Sequence, residues 1–145
     1  MREILFRGKQ IDNGEWVEGY LYKTYDGKYE ISNYNADLNI ERYTSNVIPE
    51  TIGQYTGLND RDGNRIFEGD ILQYGDKKLV VWWNDESFQW QAKEKQEGLC
   101  TFDGHRTVGV WNNIDMGWIA AEIPCVGKMT TYIIGNIYDN PELLK

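Results

Sequence analysis

The residues best equipped for chemistry are few. Cys100, His105 and Cys125 could supply metal ligands, and His105 is the only histidine in the chain. A structural zinc site takes four ligands, commonly with a close cysteine pair or a second histidine, and neither is present, so no native metal or other cofactor is expected. His105 is also the one conventional general base, but no spacing sets a nucleophile and an oxyanion hole beside it. The run Asp60-Arg61-Asp62-Gly63-Asn64 is similar to a calcium loop, in which alternating oxygen ligands precede an obligatory glycine. Aligning Gly63 with the sixth loop position puts Leu58 where the first carboxylate belongs and Gly69 where the bidentate glutamate belongs. A tight turn is the reading that remains. The 23 Asp+Glu residues offer many pairs for carboxylate chemistry, but no spacing singles one out. There is no Gly-rich phosphate loop and no dinucleotide-binding glycine fingerprint. No catalytic, cofactor-binding or metal-binding residue is therefore assigned, and a non-enzymatic protein is expected, with an unrecognised carboxylate-dependent hydrolase as an alternative class.

Charge and composition narrow the partners. Fifteen Lys+Arg against 23 Asp+Glu leave a formal net charge of −8 over 145 residues. Duplex DNA and anionic membranes are held by clustered cations, so direct binding to either is not expected. The same charge motivates a different alternative, an acidic mimic of DNA that occupies a host nucleic-acid-binding protein. With 6 Trp, 10 Tyr and 4 Phe the chain is far too aromatic for a disordered acidic segment. Trp82, Trp83, Trp90, Trp111 and Trp118, with Tyr20, Tyr22 and Tyr29, suit core and sheet-face packing, and also a protein interface, where Trp and Tyr are enriched. Base stacking lacks the basic groove it would need. Two cysteines, an opening Met-Arg-Glu-Ile-Leu-Phe-Arg-Gly-Lys without the apolar run of a signal peptide, and no Asn-x-Ser/Thr sequon lead us to expect a cytoplasmic protein with free thiols. Apolar runs such as Trp118-Ile119-Ala120-Ala121 are too short to span a bilayer.

Period-two alternation and turn dipeptides dominate the elements that must position these groups, so the chain is predicted to be mainly β. Strands are expected at Glu3–Lys9 and Trp16–Tyr25, the second closing through a two-residue type I′ turn at Asp26-Gly27. That turn pairs Tyr25 with Lys28, Thr24 with Tyr29, Lys23 with Glu30 and Tyr22 with Ile31. Residues 33–45 are polar and fit an edge strand or an ordered loop. Val47-Ile48 runs into a turn at Pro49, and the turn-rich stretch Gly53–Gly63 marks a boundary between an N-terminal lobe and the rest. A meander follows. Arg65–Tyr74 is broken by a bend at Glu68-Gly69-Asp70, Lys78–Trp83 is apolar on both faces and central, and Phe88, Trp90 and Ala92 alternate as the buried face of the next strand. Asp103-Gly104 marks a possible hairpin, residues 109–128 mix helix-like spacing with glycines, and Tyr132–Ile137 reads as a strand. Asn140-Pro141-Glu142-Leu143-Leu144 reads as a short helical tail capped by Asn140.

Several of these segments together resemble the YopX-like family of phage and prophage proteins. They are Phe6-Arg7-Gly8-Lys9, Trp16-Val17-Glu18-Gly19-Tyr20-Leu21, Glu50-Thr51-Ile52-Gly53-Gln54-Tyr55-Thr56-Gly57-Leu58, Asp60-Arg61-Asp62-Gly63, Ile66-Phe67-Glu68-Gly69-Asp70-Ile71 and the closing run Ile134 to Leu144. Residues 93–130 carry no matching motif. The resemblance implies phage or prophage origin and an SH3-like small barrel following Glu68-Gly69-Asp70, and it brings no catalytic residues with it. The expected division is an N-terminal β lobe at 1–56 and a barrel at 57–145, with an insertion near 99–130 and a short C-terminal helical turn. Gly53, Gly57 and Gly69 suit tight turns or bulges, while Gln54, Tyr55, Glu68 and Asp70 could line a surface. The function expected is that of an accessory, protein-binding module in the cytoplasm of a host bacterium. Its partners would be copies of itself, through aromatic surfaces and open strand edges, or another host or phage protein.

Overall fold

The computed structural model describes residues 3–33, 43–96, 110–115 and 131–145. Its contacts divide the chain into two units, Met1–Gly57 and Leu58–Lys145. β1 (Phe6–Lys9), β2 (Trp16–Lys23), β3 (Tyr29–Asn33), β4 (Tyr43–Asn46), β5 (Gly53–Asn59) and β6 (Arg65–Phe67) form one sheet in the order β4-β3-β2-β1-β5-β6. Register puts Leu21 opposite Ile31 and Gly8 opposite Val17, on the face where Ile31 and Val47 are buried. Glycine at two positions of this sheet is a packing requirement. A Cβ on Gly8 would meet Val47 Cβ at 3.1 Å, and one on Gly19 would run into the Ser32 carbonyl. Between β4 and β5 a single 3-10 turn, Pro49–Thr51, is tied down by Thr51, whose hydroxyl accepts from Lys9 N at 2.9 Å and donates to Ile48 O at 2.7 Å.

The β2–β3 hairpin corrects the expected register by one residue. Lys23 pairs with Tyr29, Tyr22 with Glu30 and Leu21 with Ile31. A type I′ turn needs positive φ at both central residues, whereas here only Gly27 has it, at 84°. Thr24 instead closes a three-residue loop: its N–H donates to Lys28 O at 2.8 Å, and its hydroxyl accepts from Lys28 N at 3.0 Å. The hydroxyl also donates to Asp26. A side chain that bonds across the mouth of the loop thus outcompetes the tighter turn. The shift sends Ile31 inward and Tyr22 outward, which a one-residue slip must do in a period-two structure.

In the second unit β7 (Asp70–Tyr74), β8 (Lys77–Asn84), β9 (Gln89–Gln96), β10 (Val110–Asp115) and β11 (Tyr132–Asn136) form an antiparallel sheet in the order β10-β9-β8-β7-β11. β8 is central, as its two apolar faces required. Ile66, Leu72, Leu79, Val81, Trp90 and Ala92 make the core, with Trp83 edge-on to Trp90 at 5.1 Å between centroids. The protein is mainly β, with a short 3-10 turn at Pro141–Leu144, but among the described residues no barrel closes. Closure requires the end strands to pair. Here β10 pairs with β9 and β11 with β7, which leaves them at opposite edges, and β6 joins the other sheet. Asn140 starts the last turn without capping it: its Oδ1 accepts from Asn136 N at 3.3 Å instead.

Phe88 is the other departure. It is not a buried strand residue but the last residue of the β8–β9 turn, 79% exposed with φ at 51°. Asn84 opens this turn by accepting from Glu86 N and Ser87 N at 2.9 and 3.3 Å. Trp90 and Ala92 are buried as predicted.

Candidate functional site

Asp60 was a possible cation ligand, and its geometry settles on another role. The residue is 6% exposed, and its carboxylate accepts from Asp62 N and Asn64 N at 2.9 Å each, Asn64 Nδ2 at 3.3 Å and Ile133 N at 3.1 Å. Burial pushes the carboxyl up, but the hydrogen bonds from Ile133, Asn64 and Asp62 outweigh it and hold the group below the usual aspartate value. The side chain shapes the turn between β5 and β6 and fastens it to β11. Arg61 adds its guanidinium 3.8 Å above the Tyr132 ring.

The remaining matched motifs behave in the same way. Asp70 is 1% exposed and accepts from Phe67 N at 2.8 Å, so it closes the bend around Gly69. Gly69, with φ at 87°, donates to Val81 O and accepts from Ile137 N, both at 2.9 Å, while a Cβ there would come within 3.1 Å of the Tyr138 ring. Asn136 Oδ1 accepts from Tyr138 N and Asp139 N at 3.0 and 2.9 Å, and a Cβ on Gly135 would meet Asn140 Oδ1 at 2.5 Å. Of the four residues that could line a surface, Tyr55 and Asp70 are buried and Gln54 is half-buried in β5, whereas Glu68 borders a groove.

That groove, of about 300 Å³, runs between the outer face of β8–β9 and the C-terminal segment, with Glu68, Gly69, Val80, Trp82 and Lys93 on one side and Ile137, Tyr138 and Leu144 on the other. Val80 lies opposite Lys93 and Trp82 opposite Gln91, so Trp82 and Lys93 are diagonal neighbours on one face. The Lys93 ammonium is 4.0 Å from the Trp82 ring centroid, and burial pulls its pKa below the usual lysine value. The Trp82 indole N–H is shut from solvent and has no hydrogen-bond partner. The arrangement offers a largely apolar slot whose lining includes one cation, Lys93, and one carboxylate, Glu68. Sequence reading missed it because its residues come from three separated segments. The one available signal was Trp82-Trp83, two adjacent tryptophans that a strand must send to opposite faces.

A second hollow, in the first unit, is lined by Ile11, Asp12, Lys28, Thr44, Ser45 and Asn46, and Lys28 there is paired with Asp26 at 2.9 Å. Cys100, His105, Cys125, Trp118 and the hairpin expected at Asp103-Gly104 lie outside the described residues. Among the described residues no three His, Cys, Asp or Glu side chains cluster as metal ligands, and no helix is long and apolar enough to cross a membrane.

Among solved structures the chain is similar to the crystal structure of protein EF1440 from Enterococcus faecalis, at 21% identity over all of both chains with a TM-score of 0.45. No curated protein matches. The family model for YopX protein matches residues 5–145, a span that includes every motif described above, and the chain belongs to that family.

Proposed function

We propose that this YopX family protein is a phage- or prophage-encoded accessory module that works in the bacterial cytoplasm by binding protein, without catalysis, and that it self-associates. The observation that carries this reading is the use made of the matched polar residues. Asp60, Asp70, Asn136 and Asn140 direct their side-chain oxygens at backbone N–H groups of their own chain. A carboxylate held by four donors is stabilised as an anion and is a poor proton shuttle. Among the described residues the large apolar side chains left outside are Ile4 and Ile11 and the aromatics Tyr20, Tyr22, Tyr25, Tyr43 and Phe88, and aromatic side chains dominate the energetics of protein interfaces.

Static light scattering from micromolar to several hundred micromolar protein in moderate salt tests the reading. A mass above one chain that rises with concentration is expected, and the mass of a single chain throughout refutes self-association. Because the net charge of −8 adds repulsion, raised salt should not dissolve the assembly.

A further inference from the structure

The turn that joins β1 to β2 contains Asn13-Gly14, the one Asn-Gly pair in the chain. The side-chain carbonyl carbon of an asparagine is within reach of the backbone nitrogen of the next residue, and a following glycine leaves that nitrogen unshielded. Both residues are exposed here. Gly14 has φ at 70°, and a Cβ placed on it would meet nothing within 4 Å, so no neighbouring group crowds the reacting atoms. Asn13 Oδ1 accepts from Glu15 N at 2.9 Å, which folds the carboxamide over the Asn13–Gly14 peptide and polarises its carbonyl toward a nucleophile. One bond opposes the reaction. Gly14 N donates its proton to Gln10 O at 2.9 Å, so the nucleophile is engaged until the turn opens.

Other sites lack this combination. Asn84 has its carboxamide held at both ends, with Nδ2 donating to Gln91 Oε1 at 3.0 Å and Oδ1 accepting from Glu86 N and Ser87 N. Asn136 is followed by β-branched Ile137, whose N–H is bonded to Gly69 O, and Asn140 by Pro141, which has no N–H to lose. In Asp26-Gly27 the carboxyl is held ionised by the Thr24 hydroxyl and Lys28, and an anion is a poor target for a nucleophile.

We infer that Asn13 is a site of spontaneous deamidation: the Gly14 nitrogen closes on Asn13 Cγ and, through a succinimide, yields aspartate or isoaspartate, at a rate governed by the Gly14–Gln10 bond. Hydroxide removes the Gly14 amide proton, the N–Cγ bond forms, the Cγ–Nδ2 bond breaks, and Nδ2 leaves as ammonia with a proton from water. Water then opens the ring. Breaking the new N–Cγ bond gives aspartate, and breaking the original peptide C–N bond of Asn13 gives isoaspartate. Either product adds one negative charge to a chain that already carries −8. Aspartate keeps an oxygen for Glu15 N and preserves the turn. Isoaspartate routes the backbone through an extra methylene and disturbs the Gly14 N–Gln10 O and Gln10 N–Glu15 O bonds that span it. The turn therefore ages into two forms of equal charge and unequal structure.

The test incubates the full chain from neutral to mildly alkaline pH, in native buffer and in guanidinium chloride. Charge is followed by isoelectric focusing, the site by peptide mapping, and isoaspartate by enzymatic methyl-esterification. The first acidic species is expected to map to residue 13, to contain isoaspartate and to form faster as pH rises. Its rate in native buffer should be roughly tenfold below that of the denatured chain, since the folded turn must first give up a hydrogen bond. Asn13→Asp should focus where the aged protein does, melt as wild type does and gain no further charge at this turn. A native chain that gains no charge at residue 13, or gains it first at another asparagine, overturns the assignment. Acidic species without isoaspartate remove the succinimide, and a native rate equal to the denatured one removes the control by the Gly14–Gln10 bond.

Discussion

Replacing Asp60 by Asn tests whether the acidic turn at Asp60–Gly63 is a fastening rather than a ligand site. The substitution keeps one oxygen, which can still accept from Asp62 N and Asn64 N, each at 2.9 Å. It puts an NH2 group where the second oxygen accepts from Ile133 N at 3.1 Å and Asn64 Nδ2 at 3.3 Å, so donors face donors at a site only 6% exposed. Hydrogen bonds to a charged group contribute about 1.5–3 kcal/mol each, and buried donors left unmet cost about 1–3 kcal/mol. With partial relaxation the expected loss is about 2–4 kcal/mol, or about 5–15 °C in Tm for a chain of this length. The pH dependence carries the sign. The folded-state pKa of Asp60 is depressed, so its contribution is complete above the unfolded value of about 3.9 and disappears as pH falls through the folded value. Thermal melts of wild type and Asp60→Asn should therefore differ fully near pH 7 and converge only as the pH falls below the unfolded value and through the depressed folded one. Equal Tm at pH 7, or a gap that persists unchanged into acid, would refute the assignment.

Other substitutions probe the remaining devices. Gly69→Ala forces a Cβ to within 3.1 Å of the Tyr138 ring at a φ of 87°, and should cost about 1–3 kcal/mol by chemical denaturation. Leu79→Ala, in the core of the second unit, should cost about 2–5 kcal/mol. Gly19→Ala collides with backbone at Ser32, so it should disturb the β2–β3 pairing, read as lost amide protection in hydrogen exchange at Tyr22 and Glu30, which by register bond across that ladder. Elemental analysis of protein purified without chelator should find no stoichiometric zinc, and stoichiometric zinc that disappears in Cys100→Ser would contradict the absence of a metal.

Strand existence was legible because alternation and turn residues survive any tertiary context. β8, with apolar residues on both faces, declared itself central, and Trp90 and Ala92 declared the inner face of β9. Exact pairing was not legible at Thr24, since an ordinary threonine gives no hint that its hydroxyl will bridge a loop. Phe88 misled for the opposite reason. Its apolar character continued the period of two, and only the left-handed backbone at the end of the turn, invisible in the pattern, put it outside. Sheet closure depends on which distant edges meet, a question that local periodicity does not address. The groove beside Trp82 was hidden likewise, because it exists only where β8, β9 and the C-terminal segment come together.

The placement of β11 bears on the order of folding during synthesis. The Asp60–Ile133 bond closes a separation of 73 residues, and Gly69 waits for Ile137. β7, β8 and β9 can pair as soon as they leave the ribosome, since each meets its neighbour across a short turn. Until residues 131–136 emerge, the outer edge of β7 lacks β11 and the Asp60 carboxylate lacks the Ile133 donor. In the order of synthesis, the pairing of β11 with β7 is therefore the last that this sheet can make. A ribosome stalled before residue 131 would hold a three- or four-stranded ribbon with an open edge, the kind of species that pairs with other chains instead of its own.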